Sequence, residues 1–233
     1  MLNKNFLKAL TNSFQTYLKT GARSNEKLKI LHGRIANDIN SILGKDYKIH
    51  SLGFAEGKEI KIQGRYINKA VDLTIKHKEK IIAGIAVKFV MSNYSQNSNN
   101  YFENMLGETA NIKCAKIPYF QILILPNELP YYKSNGKISK IEKITETNLK
   151  KYVVLSQDNE TEYFHTPTKT LLYLIKMPKF DIKKVTNKNQ YTKKFLKLKI
   201  KDFAKIEVNF GSSIIANDYT TFITKVTHYI KSI

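Results

Sequence analysis

Eleven consecutive residues, Ile81 to Met91, carry one polar side chain, Lys88. So apolar a run reads as a central strand covered on both faces, where an ammonium is costly unless it has a purpose or a partner. A second apolar run, Tyr119 to Leu125, is ended by Pro126, and between the two Phe102, Met105, Leu106 and Ala110 fall at helical spacing over Tyr101 to Lys113. Strand, helix, strand in that order is a crossover unit, so the two runs are expected to lie parallel in one sheet.

Upstream, Phe6, Leu7, Leu10, Phe14, Tyr17 and Leu18 predict one helix over Asn5 to Lys19. Leu28, Leu31, Ile35, Ile39 and Ile42 predict another, with Ser24 or Asn25 as its N-cap and Gly44 as its stop. Tyr47 to Phe54 and Glu59 to Tyr66 read as strands divided by a turn at Gly57, and Ala70 to Ile75 reads as a strand ending in the polar turn His77 to Lys80. Ser92 to Asn100 is polar and reads as a loop, as does Tyr131 to Gly136. Thr147 to Ser156 is expected to be helix leading into strand, Thr166 to Ile175 helix or strand, and Asn217 to Ile233 a packed terminal helix. The expected fold class is therefore α/β, a mixed central β-sheet flanked by helices. Residues 1–175 would form the core with its N-terminal helices, and 176–233 a basic C-terminal extension packed on it.

Charge narrows the partners. In 233 residues, 39 Lys and Arg against 19 Asp and Glu leave +20, which attracts polyanions, nucleic acid foremost. An AT-rich coding bias toward Lys, Asn and Ile would produce the same excess without such a partner. Eleven of the lysines fall between Lys176 and Lys205, among them Lys183, Lys184, Lys193 and Lys194, where they could clamp phosphates or form a solvated face. Cys114 is the single cysteine, which excludes an intrachain disulfide and a multi-cysteine zinc site and fits a reducing, cytoplasmic setting. No stretch has the roughly 20 uninterrupted apolar residues of a membrane span. His32, His50, His77, His165 and His228 show none of the spacings of zinc hydrolases and read as structural or exposed.

Asp72 and Lys88 stand on adjoining strands joined by a short turn, which brings an acid and a base to one end of a sheet. Hydrolysis of a phosphodiester needs a divalent cation held by carboxylates and a group to position the attacking water, roles that this pair could fill. A structural ion pair across two strands is the other reading.

Val71-Asp72-Leu73 followed by Ile85-Ala86-Val87-Lys88-Phe89 resembles the catalytic hairpin of the PD-(D/E)XK nuclease superfamily. The segments Ser92-Asn93-Tyr94 and Asn99 through Asn111 are similar to the helix after the motif in some type II restriction endonucleases. The resemblance spans about residues 26 to 126. It implies a restriction endonuclease-like core making Mg²⁺-dependent cuts in double-stranded DNA, a homodimer for a palindromic target, and a cognate DNA methyltransferase as genetic partner in phage defence. Asp72 would bridge cation and scissile phosphate, the backbone carbonyl of Val87 would complete the ligands, and Lys88 would orient the water.

Two positions depart from the family pattern. Val71 replaces a common proline. Ala86 stands where the family has Glu or Asp, the second metal-binding carboxylate, and a methyl group cannot ligate Mg²⁺. Three readings follow: an inactivating replacement of glutamate, which is the preferred one; a migrated acid supplied by Glu103 or Glu108; or decay into a non-catalytic DNA-binding protein. The resemblance also implies an outer-shell acid from Glu26 or a neighbour on the second helix, as in some members, although an acid in the first helical turn also complements the dipole. The amides Asn93, Gln96, Asn97, Asn99 and Asn100, with Tyr94, are the expected DNA-contacting set. A basic RNA-binding protein is the remaining alternative.

Overall fold

The structure, a computed structural model, describes residues 1–233. The chain runs α1 (Leu2–Thr20), α2 (Glu26–Leu43), β1 (Tyr47–Ser51), β2 (Ile60–Gln63), β3 (Asn68–Val71), β4 (Leu73–His77), β5 (Lys80–Phe89), α3 (Tyr94–Lys113), β6 (Tyr119–Pro126), β7 (Glu128–Tyr132), β8 (Ile138–Lys143), α4 (Glu146–Gln157), β9 (Lys169–Ile175), α5 (Lys188–Phe195), β10 (Ile214–Ala216) and α6 (Tyr219–Lys231). No helix is long and apolar enough to cross a membrane.

Six strands form the central sheet in the order β1-β4-β5-β6-β9-β10. The β1, β4 and β5 neighbours are antiparallel, and β5, β6, β9 and β10 run parallel. The sheet is therefore mixed, and α3 makes the crossover that the two apolar runs predicted.

Alternation along the strands divides the core into two layers. Ile85, Val87, Ile122, Ile124, Leu171 and Tyr173 pack with α1, α2, α5 and α6, while Leu123, Leu125, Leu172 and Leu174 pack with α3 and α4. Phe6 stacks on Tyr219 with ring centroids 3.9 Å apart, which ties the first helix to the last. The basic segment joins the same core through Phe180, Val185, Tyr191, Phe195 and Ile200, and β10 completes the sheet, so residues 176–233 share one core with the rest.

Several expectations are corrected. Tyr47–Ser51 and Ile60–Gln63 do not pair across Gly57: β1 joins β4, whereas β2 pairs with β3 in a separate hairpin. The expected strand Ala70–Ile75 is broken at Asp72, because upstream residues pair with β2 and downstream residues with β1 and β5. Ser92–Asn100 is not a loop, since α3 begins at Tyr94, whose side chain is buried and anchors the first turn. Buried Glu142 accepts the Tyr94 N–H at 2.7 Å and the Ser95 N–H at 3.2 Å, meeting the free donors of that helix start. Tyr131–Gly136 spans the end of β7 and its turn into β8, Thr147–Ser156 lies wholly within α4, and Thr166–Ile175 resolves into β9. Strand β5 is buried on one face only toward its end, where Lys88 is exposed.

Candidate active site

The site begins where two ladders part. At Asp72 the chain leaves the β2–β3 hairpin and enters the central sheet, so Val87, which pairs with Ile122 of β6 on one side, has no β4 residue opposite it on the other. The Asp72 carboxylate takes the Val87 N–H hydrogen, Val87 N to Asp72 Oδ2 at 2.6 Å, and the bond fixes its rotamer. Ala86 and Lys88, two apart on β5, share one face of the strand, toward α3. The Lys88 Nζ sits 4.4 Å from the centroid of the Tyr101 ring, whose negative face offsets the charge. Asp72, Ala86, Lys88, Tyr101, Glu108 and Gln121 line a common groove of about 250 Å³. The acid and the ammonium thus converge on one space.

Behind Asp72 lies a pair of residues that sequence reading did not place there. His32 is wholly buried on α2, with Nδ1 3.8 Å from Glu59 Oε1 and 4.0 Å from Asp72 Oδ1. Neither ring nitrogen has a hydrogen-bond partner. Burial holds the His32 pKa below its ordinary value against the pull of the Asp72 charge, so the imidazole is a neutral donor. Burial, with the repulsion of Asp72, pushes the Glu59 carboxyl up. Two carboxylates and an imidazole without a hydrogen-bond partner thus face one another.

One donor atom from each of His32, Glu59 and Asp72 lies within 4.8 Å of the others. Around a shared cation at about 2.1 Å, ligands stand about 3.0 Å apart in cis and about 4.2 Å in trans, so slight side-chain rotation closes the set. The residues fit a divalent cation. An N,O,O set suits Mn²⁺ at least as well as Mg²⁺.

Backbone close approach makes this convergence available. A Cβ on Gly33 would lie 2.4 Å from the Gly53 carbonyl oxygen, and one on Gly53, at φ +72°, would lie 2.0 Å from the Lys29 carbonyl oxygen. Two glycines therefore let the segment after β1 press directly on α2 beside His32, and the chain then returns through Glu59 into β2.

The expected accessory acids separate. Glu108 lines the groove, where it pairs with Lys69 Nζ at 2.5 Å and accepts from Tyr119 Oη at 3.4 Å. Glu103 and Glu26 do not line it, and Glu26 pairs with Lys29 at 2.7 Å on the exposed start of α2. Of the amide set, Asn93 spends its side chain on Tyr132, accepting from the backbone N–H and donating to the carbonyl, both at 2.9 Å. Asn97 turns back onto the Asn93 carbonyl, and Asn99 accepts from Lys151 Nζ at 3.1 Å. Gln96 and Asn100 are exposed on the first turns of α3. Lys183, Lys184, Lys193 and Lys194 are exposed around α5, and none lines the groove.

In comparisons with family models, with curated proteins and with solved structures, nothing matches this chain. The functional reading accordingly rests on the residues themselves.

His32 carried one faint signal, a position beside Leu31 on an otherwise apolar helical stripe; an imidazole there needs a polar partner. Glu59, at the edge of a short strand, carried none.

Proposed function

We infer that the chain is a divalent-metal-dependent nuclease acting on duplex DNA, and that a type II restriction endonuclease is the closest description of its chemistry. The observation that carries this reading is the buried, unpartnered His32 facing Glu59 and Asp72, with Lys88 in the groove that Asp72 lines. His32, Glu59 and Asp72 would hold the cation, Mn²⁺ or Mg²⁺, leaving Ala86 without a ligand role. When bound, the cation polarises the phosphate and makes its attached water a stronger nucleophile.

The protein groups divide the remaining work. The Val87 N–H holds Asp72 in one orientation, so the carboxylate needs no rearrangement during reaction. The Lys88 ammonium, exposed and steadied against Tyr101, meets a phosphate oxygen and aligns the attacking water. Lys69 holds Glu108 at the groove wall. The excess of +20 concentrates the polyanion near the groove. A palindromic target would be cut by a symmetric homodimer, and self-protection would come from a cognate methyltransferase.

The experiment is cleavage of duplex DNA by the full chain with Mg²⁺ or Mn²⁺, beside Asp72→Asn and Lys88→Ala. Cutting by the parent alone is expected. Ala86 favours one second reading, a DNA-binding protein on the same scaffold, and duplex binding without cleavage under either cation would select it.

A further inference from the structure

The β2–β3 hairpin ends in a tip, Gly64-Arg65-Tyr66-Ile67, whose two apolar side chains point into solvent: Tyr66 is 76% exposed and Ile67 65%. The tip is nevertheless fixed. The buried side chain of Asn111 on α3 accepts the Tyr66 N–H at 2.9 Å and the Ile67 N–H at 3.2 Å and donates to the Ile67 carbonyl at 2.9 Å. The Arg65 N–H donates to the Asn111 carbonyl at 2.8 Å. A Cβ on Gly64 would lie 2.1 Å from the Asn111 amide nitrogen, so glycine lets the turn sit down on α3. Tyr66 and Ile67 are displayed on a rigid mount joined to the helix that lines the groove.

We propose that this tip is a wedge that enters a base step of the bound duplex, with Tyr66 stacking on a base and Ile67 filling the opened space. The proposal rests on the nuclease reading and adds how the same site grips its substrate. Charge identifies the occupant: Arg65 in the tip and Lys61 on the β2 arm are exposed, while Glu59 at the foot of that arm and Glu108 on α3 are turned into the metal cluster and the groove wall. Two side chains on a turn fall far short of the roughly 800 Å² per partner of an ordinary protein interface. They match the apolar wedges with which DNA-binding proteins unstack a step. Reach agrees as well. Five residues of extended chain from Ile67 to Asp72 span about 17 Å, about five base-pair rises from the cutting centre.

The test uses the full chain with Ca²⁺ in place of the reactive cation. A random duplex pool is enriched by binding, and enriched duplexes are remade with 2-aminopurine scanned through them. The parent chain is expected to raise fluorescence at one step, about five base pairs from the cut. Tyr66→Ala with Ile67→Ala abolishes the rise and weakens binding about tenfold to a hundredfold, while Tyr66→Phe with Ile67 intact retains it. Because the tip side chains are exposed, the double variant keeps the parent melting temperature and Mn²⁺ response. Tight duplex binding with no fluorescent step, or a double variant that binds and unstacks like the parent, overturns the wedge and leaves the nuclease reading standing. No duplex binding by the parent overturns both.

Discussion

Replacing His32 by leucine separates a metal ligand from an ordinary core residue, because the two roles predict opposite changes in stability. In the metal-free chain both imidazole nitrogens are buried without partners. An unsatisfied buried polar group costs about 1–3 kcal/mol, and leucine fills a similar volume without that cost. His32→Leu without metal should therefore melt at or a few degrees above the parent, whereas ordinary core damage lowers stability by about 2–5 kcal/mol. With Mn²⁺ the order reverses. A cation at a hundredfold excess over its dissociation constant stabilises the folded state by about 2.7 kcal/mol. For a chain of this size each kcal/mol moves the midpoint by about 2–4 °C, so the parent should gain about 5–11 °C. His32→Leu loses a ligand and should gain much less at the same concentration. The assay is scanning calorimetry or fluorimetry of both chains with chelator, Mg²⁺ and Mn²⁺. A parent whose midpoint ignores both cations, or a leucine variant crippled in chelator, would refute the reasoning.

Four further outcomes are expected. Lys88→Ala should lower the cleavage rate by about 10²–10³, the usual loss for a preorganised donor, yet keep the Mn²⁺ shift in melting. Ala86→Glu adds a carboxylate to the groove beside Asp72, yet with the cation held by His32, Glu59 and Asp72 it should leave Mg²⁺-dependent cutting close to that of the parent; a silent parent that begins to cut on this change would return the ligand role to position 86. Removing Lys183, Lys184, Lys193 and Lys194 should flatten the dependence of log affinity on log salt by about 0.9 for each lysine that reaches a phosphate, as titrations at several salt concentrations will read. Burial tends to raise the Asp218 carboxyl, but donors from Thr221, Asn3 and Thr220 outweigh it and bring the pKa below 3.8. Its contribution to α6 is present above that value and lost as pH falls through the depressed one, so acid melting curves of the parent and Asp218→Asn should converge at low pH.

The sheet was readable from sequence because its parallel centre is written in runs of one kind, Ile81–Met91 and Tyr119–Leu125, with one helix between them. The antiparallel margin was not, because strand pairing depends on which short segment reaches which edge, and residues 47–71 divide between two sheets. The start of α3 was hidden by composition: Asn and Ser in its first two turns resemble a loop, and the helix start is secured from afar by Glu142 and locally by the burial of its own Tyr94. Asp72, Lys88 and Glu108 could be brought together because a tight hairpin and its following helix have local geometry. His32 and Glu59 join them across 13 to 40 residues, through a glycine contact that no spacing rule describes.

Asp72 belongs to neither ladder, and that position at a fork has an engineering consequence. The arms of the β2–β3 hairpin can gain or lose a matched pair of residues without disturbing the seat of the acid, which hangs from Val87. Each added pair would carry the tip about 3.4 Å farther out. Reach along a target and the chemistry performed on it are therefore separately adjustable in this fold.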